Sequence, residues 1–270
     1  MEKNNIKIKQ LQELISGFGS VVVAFSGGVD SSFLAAAAVR AIGDKAIAVT
    51  AFSETLAESE KNEAILIAKE IGIKHILLHI SELNSPEFVE NTASRCYHCK
   101  KERFSVLADW AKENHYNWIL EGSNADDLSD YRPGMKAVHE LETTRSPLLE
   151  VGLTKSEIRE ISKEWNLPTW DKLSAACLSS RVAYGISVTA DRLKQIERAE
   201  ELVKQFCSGQ VRVRHHENIA RIEVAPENIG LITTPEIART LDQGLKEIGF
   251  TYVTIDLAGY RMGSMNADIS

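Results

Sequence analysis

Residues 21–32 constrain this chain more than any other stretch. Five apolar residues, Val21-Val22-Val23-Ala24-Phe25, run directly into Ser26-Gly27-Gly28-Val29-Asp30-Ser31-Ser32, and an alanine-rich segment follows to Ile42. A short, continuous apolar run suits a strand buried on both faces. The alanine-rich segment suits a helix over Ser31–Ile42. The turn between them pairs two glycines with the amides of a helix start. Glycine lets the backbone approach a ligand closely, and the unpaired N–H groups of a helix start attract anions, so the turn reads as a phosphate cradle. Its spacing is neither GxxxxGK[ST] nor GxGxxG, which excludes the Walker A loop and the dinucleotide fingerprint. An aspartate in such a cradle repels phosphate unless a cation bridges the two, which points to Mg²⁺ at Asp30.

The pattern around this turn repeats. Strands are expected at Ala46–Phe52, Ile76–Ile80 and Trp118–Glu121, and helices at Leu56–Ile71 and Cys99–Lys112. Alternation of this kind predicts an α/β fold, a parallel sheet with helices on both faces, whose ligands sit beyond the carboxyl ends of the strands. Thr154-Lys155-Ser156-Glu157 is a capping-box signature and predicts a helix through about Trp165. Residues 168–187 lack periodicity. The pattern then changes: a helix at Thr189–Phe206, a hairpin of Val211–His215 and Ile219–Val224, a helix at Pro235–Ile248 and a last strand at Thr251–Leu257. The expected organisation is therefore a domain over 1–185 and a smaller α+β domain over 186–270.

Composition limits the function classes. The 270 residues are 44% hydrophobic and 26% charged, which excludes wholesale disorder and a coiled-coil rod. A net charge of -7, with no basic excess in the C-terminal part, argues against a nucleic-acid partner. No apolar run reaches the roughly 18–20 residues that span a membrane. The polar start, Met1-Glu2-Lys3-Asn4-Asn5, shows no signal peptide, so a cytoplasmic location is the default expectation. In a reducing compartment Cys96, Cys99, Cys177 and Cys207 are metal ligands, reactive thiols or packing rather than disulfides.

Cys177 lies in the irregular segment with Arg181 close by, where a thiolate can be stabilised and act as a nucleophile. Cys96-Tyr97-His98-Cys99 is a CxxC with three open readings: a zinc half-site, a redox pair or part of an iron–sulfur site. Cys207 falls on the apolar side of its helix with Val203 and Phe206 and reads as core. Arg212 and Arg214 alternate with Val211 and Val213, so both guanidiniums leave one face of a strand. That face either binds a nucleotide phosphate or is a solvated surface with salt bridges, like the neighbouring Arg221 and Glu223.

Ala24–Ser32 resembles the PP-loop of the ATP pyrophosphatases, which cleave ATP to AMP and pyrophosphate while adenylating a carboxylate or carbonyl oxygen. The resemblance implies an adenine nucleotide alpha hydrolase-like fold. It implies that Ser26, Gly27, Gly28, Asp30, Ser31 and Ser32 hold the pyrophosphate, and that Phe52 lies near the adenine. Glu121-Gly122-Ser123-Asn124-Ala125-Asp126-Asp127 is similar to the second loop of that group, with Gly122 at the nucleotide and Asp127 as a further Mg²⁺ ligand beside Asp30; as sequence alone it also reads as an Asx-rich turn.

Four more segments resemble one subfamily. They are Asp130-Tyr131-Arg132-Pro133-Gly134, Cys177-Leu178-Ser179-Ser180-Arg181 with Tyr184-Gly185, Val211-Arg212-Val213-Arg214-His215, and Tyr252–Leu257 with Gly259-Tyr260-Arg261. That subfamily is the LarE family, ATP-dependent sulfur transferases of nickel-pincer nucleotide biosynthesis. The resemblance implies a small nucleotide substrate, pyridinium-3,5-biscarboxylic acid mononucleotide, whose carboxylates are adenylated at the expense of ATP and become thiocarboxylates. It implies that Ser180, Arg181, Arg212 and Arg214 bind this substrate, with Glu200 and Glu223 nearby. Leu231 stands where some members carry an acidic residue. Cys96, Cys99 and Cys177 match members that carry a [4Fe–4S] cluster; members with one cysteine give up its sulfur instead. The resemblance also implies a homo-oligomer, hexameric in the family. A cluster-dependent tRNA thiolase and a non-catalytic ATP- or AMP-binding module are the alternative readings.

Overall fold

The computed structural model describes residues 2–129 and 140–265. The chain forms two compact units. The first comprises Met1–Ser53, Glu58–Ser81 and Cys96–Ser174; the second comprises Glu54–Ala57, Glu82–Arg95 and Ala175–Ser270. The unit division thus falls at Ser174 rather than at residue 185, and two short segments of the N-terminal half join the second unit.

The first unit is built on a parallel five-stranded sheet of order β3-β2-β1-β4-β5. Its strands are β1 (Val21–Ala24), β2 (Ala46–Phe52), β3 (Lys74–His79), β4 (Trp118–Leu120) and β5 (Thr144–Arg145). Helices α1 (Glu2–Gly17), α2 (Val29–Ile42) and α3 (Glu58–Ile71) lie in its N-terminal half. After α4 (Pro86–Val89), which belongs to the second unit, come α5 (Arg95–Glu113), α6 (Pro147–Glu150) and α7 (Lys155–Glu164). Val21 and Val23 of β1 face a core shared with Leu11, Ile15, Phe33, Leu34 and Ile161. Val22, Ile47 and Val49 face the opposite way, against Phe104 and Leu107 of α5. Burial on both sides explains why β1 is apolar at every position. Strand order reverses at β1, between β2 and β4, so the loops after β1 and β4 open a crevice at the carboxyl edge of the sheet.

The second unit holds a three-stranded sheet of order β6-β7-β8. Strands β6 (Val211–His216) and β7 (Ile219–Val224) form the expected antiparallel hairpin, turned by Glu217 at φ 56°, and β8 (Tyr252–Ile255) pairs parallel to β7. Helices α8 (Ala190–Lys204), α9 (Pro226–Ile232) and α10 (Pro235–Ile248) complete it, with Val203, Val211, Val213, Leu241, Leu245 and Phe250 in the core.

Some elements differ from the sequence expectation. Helix α5 begins at Arg95, so the CxxC occupies its first turn instead of preceding it. Strand β5 has two residues and no periodicity to detect, and α9 lies in a stretch to which the sequence expectation assigns no element. Asp130–Gly134 lie outside the described residues. Among the described residues no helix is long and apolar enough to cross a membrane.

Candidate active site

The turn after β1 takes the shape its glycines suggest. Gly27 sits at φ 67°, and a Cβ there would come within 3.0 Å of the Ala64 backbone on α3. Gly28 is the N-cap of α2 and no side chain caps that helix start. Helix α2 is 14 residues long, so its N-terminal amides and dipole face the turn. Ser26 and Ser31 bind each other through their hydroxyls at 3.1 Å, and the Ser26 amide donates to Ser31 Oγ at 3.2 Å. The Ser32 hydroxyl is fully buried, with no hydrogen-bond partner among the described residues. An uncapped helix start, a glycine turn and an orphaned hydroxyl fit a polyphosphate.

The loop after β4 meets this turn. A Cβ on Gly122 would lie 3.2 Å from Asp30 Cβ and 3.3 Å from the Ser31 amide nitrogen, so only glycine allows the approach without displacement. Asn124 Nδ2 donates to Asp30 Oδ1 at 3.4 Å. Asp127 is buried and accepts the Asn124 amide proton at 2.9 Å, which shapes its own loop. Glu121, also buried, accepts hydroxyl protons from Ser123, at 2.8 Å, and from Ser146.

Two lysines that the sequence reading did not single out complete the crevice. The Lys155 ammonium rests on the Asp30 carboxylate. Lys155 is the first residue of α7, whose capping box forms as expected: Glu157 N donates to Thr154 Oγ1 at 3.3 Å, and Thr154 N to Glu157 Oε2 at 2.9 Å. Lys172 donates to the Gly27 carbonyl at 3.3 Å and pairs with Glu60 and Glu63 at 3.0 and 2.9 Å. The Asp30 carboxylate already holds a cation in the form of Lys155, and its chemistry fits Mg²⁺. Phe52 closes β2, with the Lys61 ammonium 5.1 Å from its ring centre, and Arg103 anchors that strand end through the Ala51 carbonyl at 3.0 Å.

In the second unit Cys177 is exposed and caps a 3₁₀ turn, Leu178–Arg181, with its Sγ 3.1 Å from Ser179 Oγ. Arg181 is buried. Its guanidinium binds both oxygens of Glu200, at 2.8 and 3.1 Å, and donates to the carbonyls of Ala176 and Cys177. Arg181 therefore holds the cysteine turn from behind. Ser180 is tied to the Cys177 carbonyl at 2.7 Å.

Arg212 and Arg214 share one face of β6 as the alternation suggests, but they are not on a solvated surface: both are buried. Arg214 pairs with the fully buried Glu223 at 2.7 Å, and Arg221 reaches the same carboxylate at 3.2 Å. Arg212 lies 5.3 Å over the Tyr260 ring. Burial, then the nearby Arg181 charge, lowers its pKa from the usual guanidinium range. Among the described residues the group sets Arg181, Arg212, Arg214 and Arg221 against Glu200, Glu223 and Asp256, an excess of positive charge in a largely buried place. Such an excess favours an anion.

The cysteines separate by environment. Cys96 is exposed, Cys99 half-buried and Cys177 exposed, whereas Cys207 is buried, and burial raises its thiol pKa. Reachable thiols suit ligation or sulfur chemistry, and Cys207 packs in the core as expected. Among the described residues no group of three or more His, Cys, Asp or Glu is assembled to hold a metal ion.

Comparison with known proteins agrees with this geometry. A NAD synthase family model matches residues 5–170. An uncharacterised protein of Synechocystis is 40% identical over 96% of this chain and 97% of its own length. The pyridinium-3,5-bisthiocarboxylic acid mononucleotide synthase of Lactiplantibacillus plantarum is 36% identical over 91% of this chain and 88% of its own. An uncharacterised protein of Methanocaldococcus jannaschii is 30% identical, covering 96% and 95%. The NAD synthase match stays within the nucleotide-cradling half, while these relatives extend through the cysteine turn and the arginine cluster. By that full-length likeness the chain belongs to the LarE family of PP-loop ATP pyrophosphatases.

Proposed function

We propose that this protein is an ATP-dependent sulfur transferase that converts carboxylates of pyridinium-3,5-biscarboxylic acid mononucleotide to thiocarboxylates. The observation that carries this reading is the pairing, in one chain, of a phosphate cradle closed by Gly122 with an exposed cysteine held on a buried arginine. ATP binds with its β- and γ-phosphates on Ser26–Ser32, over the N-terminus of α2. Asp30, together with Asp127, would hold Mg²⁺, which would neutralise charge on the departing pyrophosphate. Lys155 then moves from Asp30 toward the phosphates. A substrate carboxylate attacks the α-phosphorus, the bond to the β-phosphate oxygen breaks, and an acyl adenylate forms. A sulfur nucleophile displaces AMP from it, since the mixed anhydride supplies the leaving group that a carboxylate lacks.

Arg212 and Arg214 take the nucleotide phosphate, because among the described residues the cluster around them carries more positive than negative charge. Ser180 and Arg181 shape the floor beneath the reacting sulfur. Cys96, Cys99 and Cys177 are the proposed thiolates of a [4Fe–4S] cluster, which would supply an iron able to carry hydrosulfide. The proposal includes a small-molecule substrate, no nucleic-acid or membrane partner, a cytoplasmic location and a homo-oligomer. Pyrophosphate release that depends on the pyridinium dicarboxylate nucleotide tests the adenylation half. Release without that nucleotide, or none with it, overturns this half.

A further inference from the structure

Sulfur transfer, the reading on which this inference rests, needs a thiol that is reachable but does not wander. Cys177 is exposed, yet the turn it opens is tied on several sides within the second unit. The Leu178 amide donates to the Thr55 carbonyl at 2.8 Å. Arg181 holds the carbonyls of Ala176 and Cys177. The remaining tie comes from Asn91 and Arg95, two residues from a distant part of the chain with no role in the reaction described so far.

Asn91 is fully buried in the left-handed region, at φ 60°. Its Nδ2 donates to the carbonyls of Ala183 and Ile186, at 2.8 and 2.7 Å, and its Oδ1 accepts from Arg95 Nη1. The same Nη1 donates to the Ser179 carbonyl at 2.9 Å, and Ser179 is the residue whose hydroxyl touches Cys177 Sγ. Arg95 is 4% exposed, and its guanidinium lies 5.4 Å from the Tyr184 ring centre. Among the described residues no carboxylate pairs with it. A buried cation without a carboxylate is costly, and a neutral side chain could fill the same space. Nη1 makes both bonds, and the rest of the rigid guanidinium plane lies beside Tyr184, a placement that an ammonium on a flexible four-carbon stem does not reproduce.

We infer that Arg95 is a positioning residue for Cys177: clamped by Asn91 and set beside the Tyr184 ring, it fixes the Ser179 carbonyl and with it the presentation of the Cys177 sulfur. It also immediately precedes Cys96 in the chain.

The test uses the full-length protein and the variants Arg95→Ala and Arg95→Lys, with melting curves to establish folding. If the alanine variant does not fold, the lysine variant carries the test. Three quantities are compared: substrate-dependent pyrophosphate release, thiocarboxylate formation, and the rate at which iodoacetamide alkylates Cys177, resolved by peptide mass spectrometry. Both variants should keep pyrophosphate release within about twofold and lose about 100-fold in thiocarboxylate formation, the scale of a misplaced reacting group. Cys177 alkylation should change in both. Wild-type sulfur transfer in Arg95→Lys would overturn the inference, because charge alone would then suffice. So would an unchanged alkylation rate in the folded variants. If the wild-type protein makes no thiocarboxylate, the functional reading fails, while the alkylation rates still decide the role of Arg95.

Discussion

Lys155, the first residue of α7, places its ammonium on the carboxylate of Asp30 in the first turn of α2, 125 residues earlier in the chain. In the proposed mechanism Mg²⁺ would take the place of this ammonium at the carboxylate. Lys155→Ala should therefore tighten Mg²⁺ binding to the nucleotide-free protein while slowing pyrophosphate release. Asp30→Asn should weaken Mg²⁺ binding and slow release by about 100-fold, as expected for loss of a charge-stabilising group. Calorimetric titration with MgCl₂ and a coupled pyrophosphate assay check both. Equal Mg²⁺ affinity in the wild type and Lys155→Ala would contradict the exchange.

Cys177 and Cys207 should behave in opposite ways. Cys177→Ser should leave pyrophosphate release in place and stop thiocarboxylate formation. Cys207→Ala should retain sulfur transfer and lose about 1 kcal/mol of stability from a truncated core position. Product analysis by mass spectrometry and urea unfolding give the two readouts. A sulfur-transfer defect in Cys207→Ala would show that the core assignment is incomplete.

His215 makes stability depend on pH. It is 2% exposed, its Nε2 meets Gln195 Oε1 at 3.0 Å, and its Nδ1 has no hydrogen-bond partner among the described residues. Burial, reinforced by Arg192, pushes its pKa down to about 4. The unfolded chain binds this proton near pH 6.5, and the folded chain resists it until about pH 4. Stability is therefore full above pH 6.5 and falls as pH drops toward 4, by about 3 kcal/mol for this group. His215→Gln should flatten that part of the profile in urea unfolding. An identical slope in the variant would assign the acid sensitivity elsewhere.

The two arginines of β6 should differ on truncation. Arg214→Ala leaves the fully buried Glu223 with a weaker set of partners and should cost about 3 kcal/mol. Arg212→Ala should raise the KM for the nucleotide substrate and leave ATP affinity alone. Steady-state kinetics with each substrate varied separates the effects. An unchanged KM in a folded Arg212→Ala protein would remove Arg212 from the phosphate site.

Iron and acid-labile sulfide, measured on protein reconstituted without oxygen, decide the source of sulfur. A cluster on Cys96, Cys99 and Cys177 predicts about four of each per chain, lost in Cys96→Ala. No bound iron, with a chain lighter by one H₂S after turnover, would instead make Cys177 the donor.

Legibility followed how local each feature is. The β1 run is apolar throughout because both of its faces are buried, and the Thr154 capping box is confined to four residues, so both show in the sequence. The Lys155–Asp30 contact depends on where α7 docks, which no local pattern records. Arg212 and Arg214 were legible as sharing a face, but their burial was not. Glu223, the partner of Arg214, lies on the adjacent strand, and alternating charges look the same on a solvated surface as in a paired interior. Asn91 and Arg95 read as part of the nucleotide half, yet they belong to the second unit, where their side chains serve the Cys177 turn.

The most direct test of the account is one incubation of the purified, reconstituted protein with ATP, Mg²⁺, a sulfide source and pyridinium-3,5-biscarboxylic acid mononucleotide, followed by mass spectrometry of the nucleotides. The account predicts AMP and pyrophosphate together with a pyridinium nucleotide in which sulfur has replaced a carboxylate oxygen. AMP and pyrophosphate with no sulfur in the product, or ATP left intact, would contradict it.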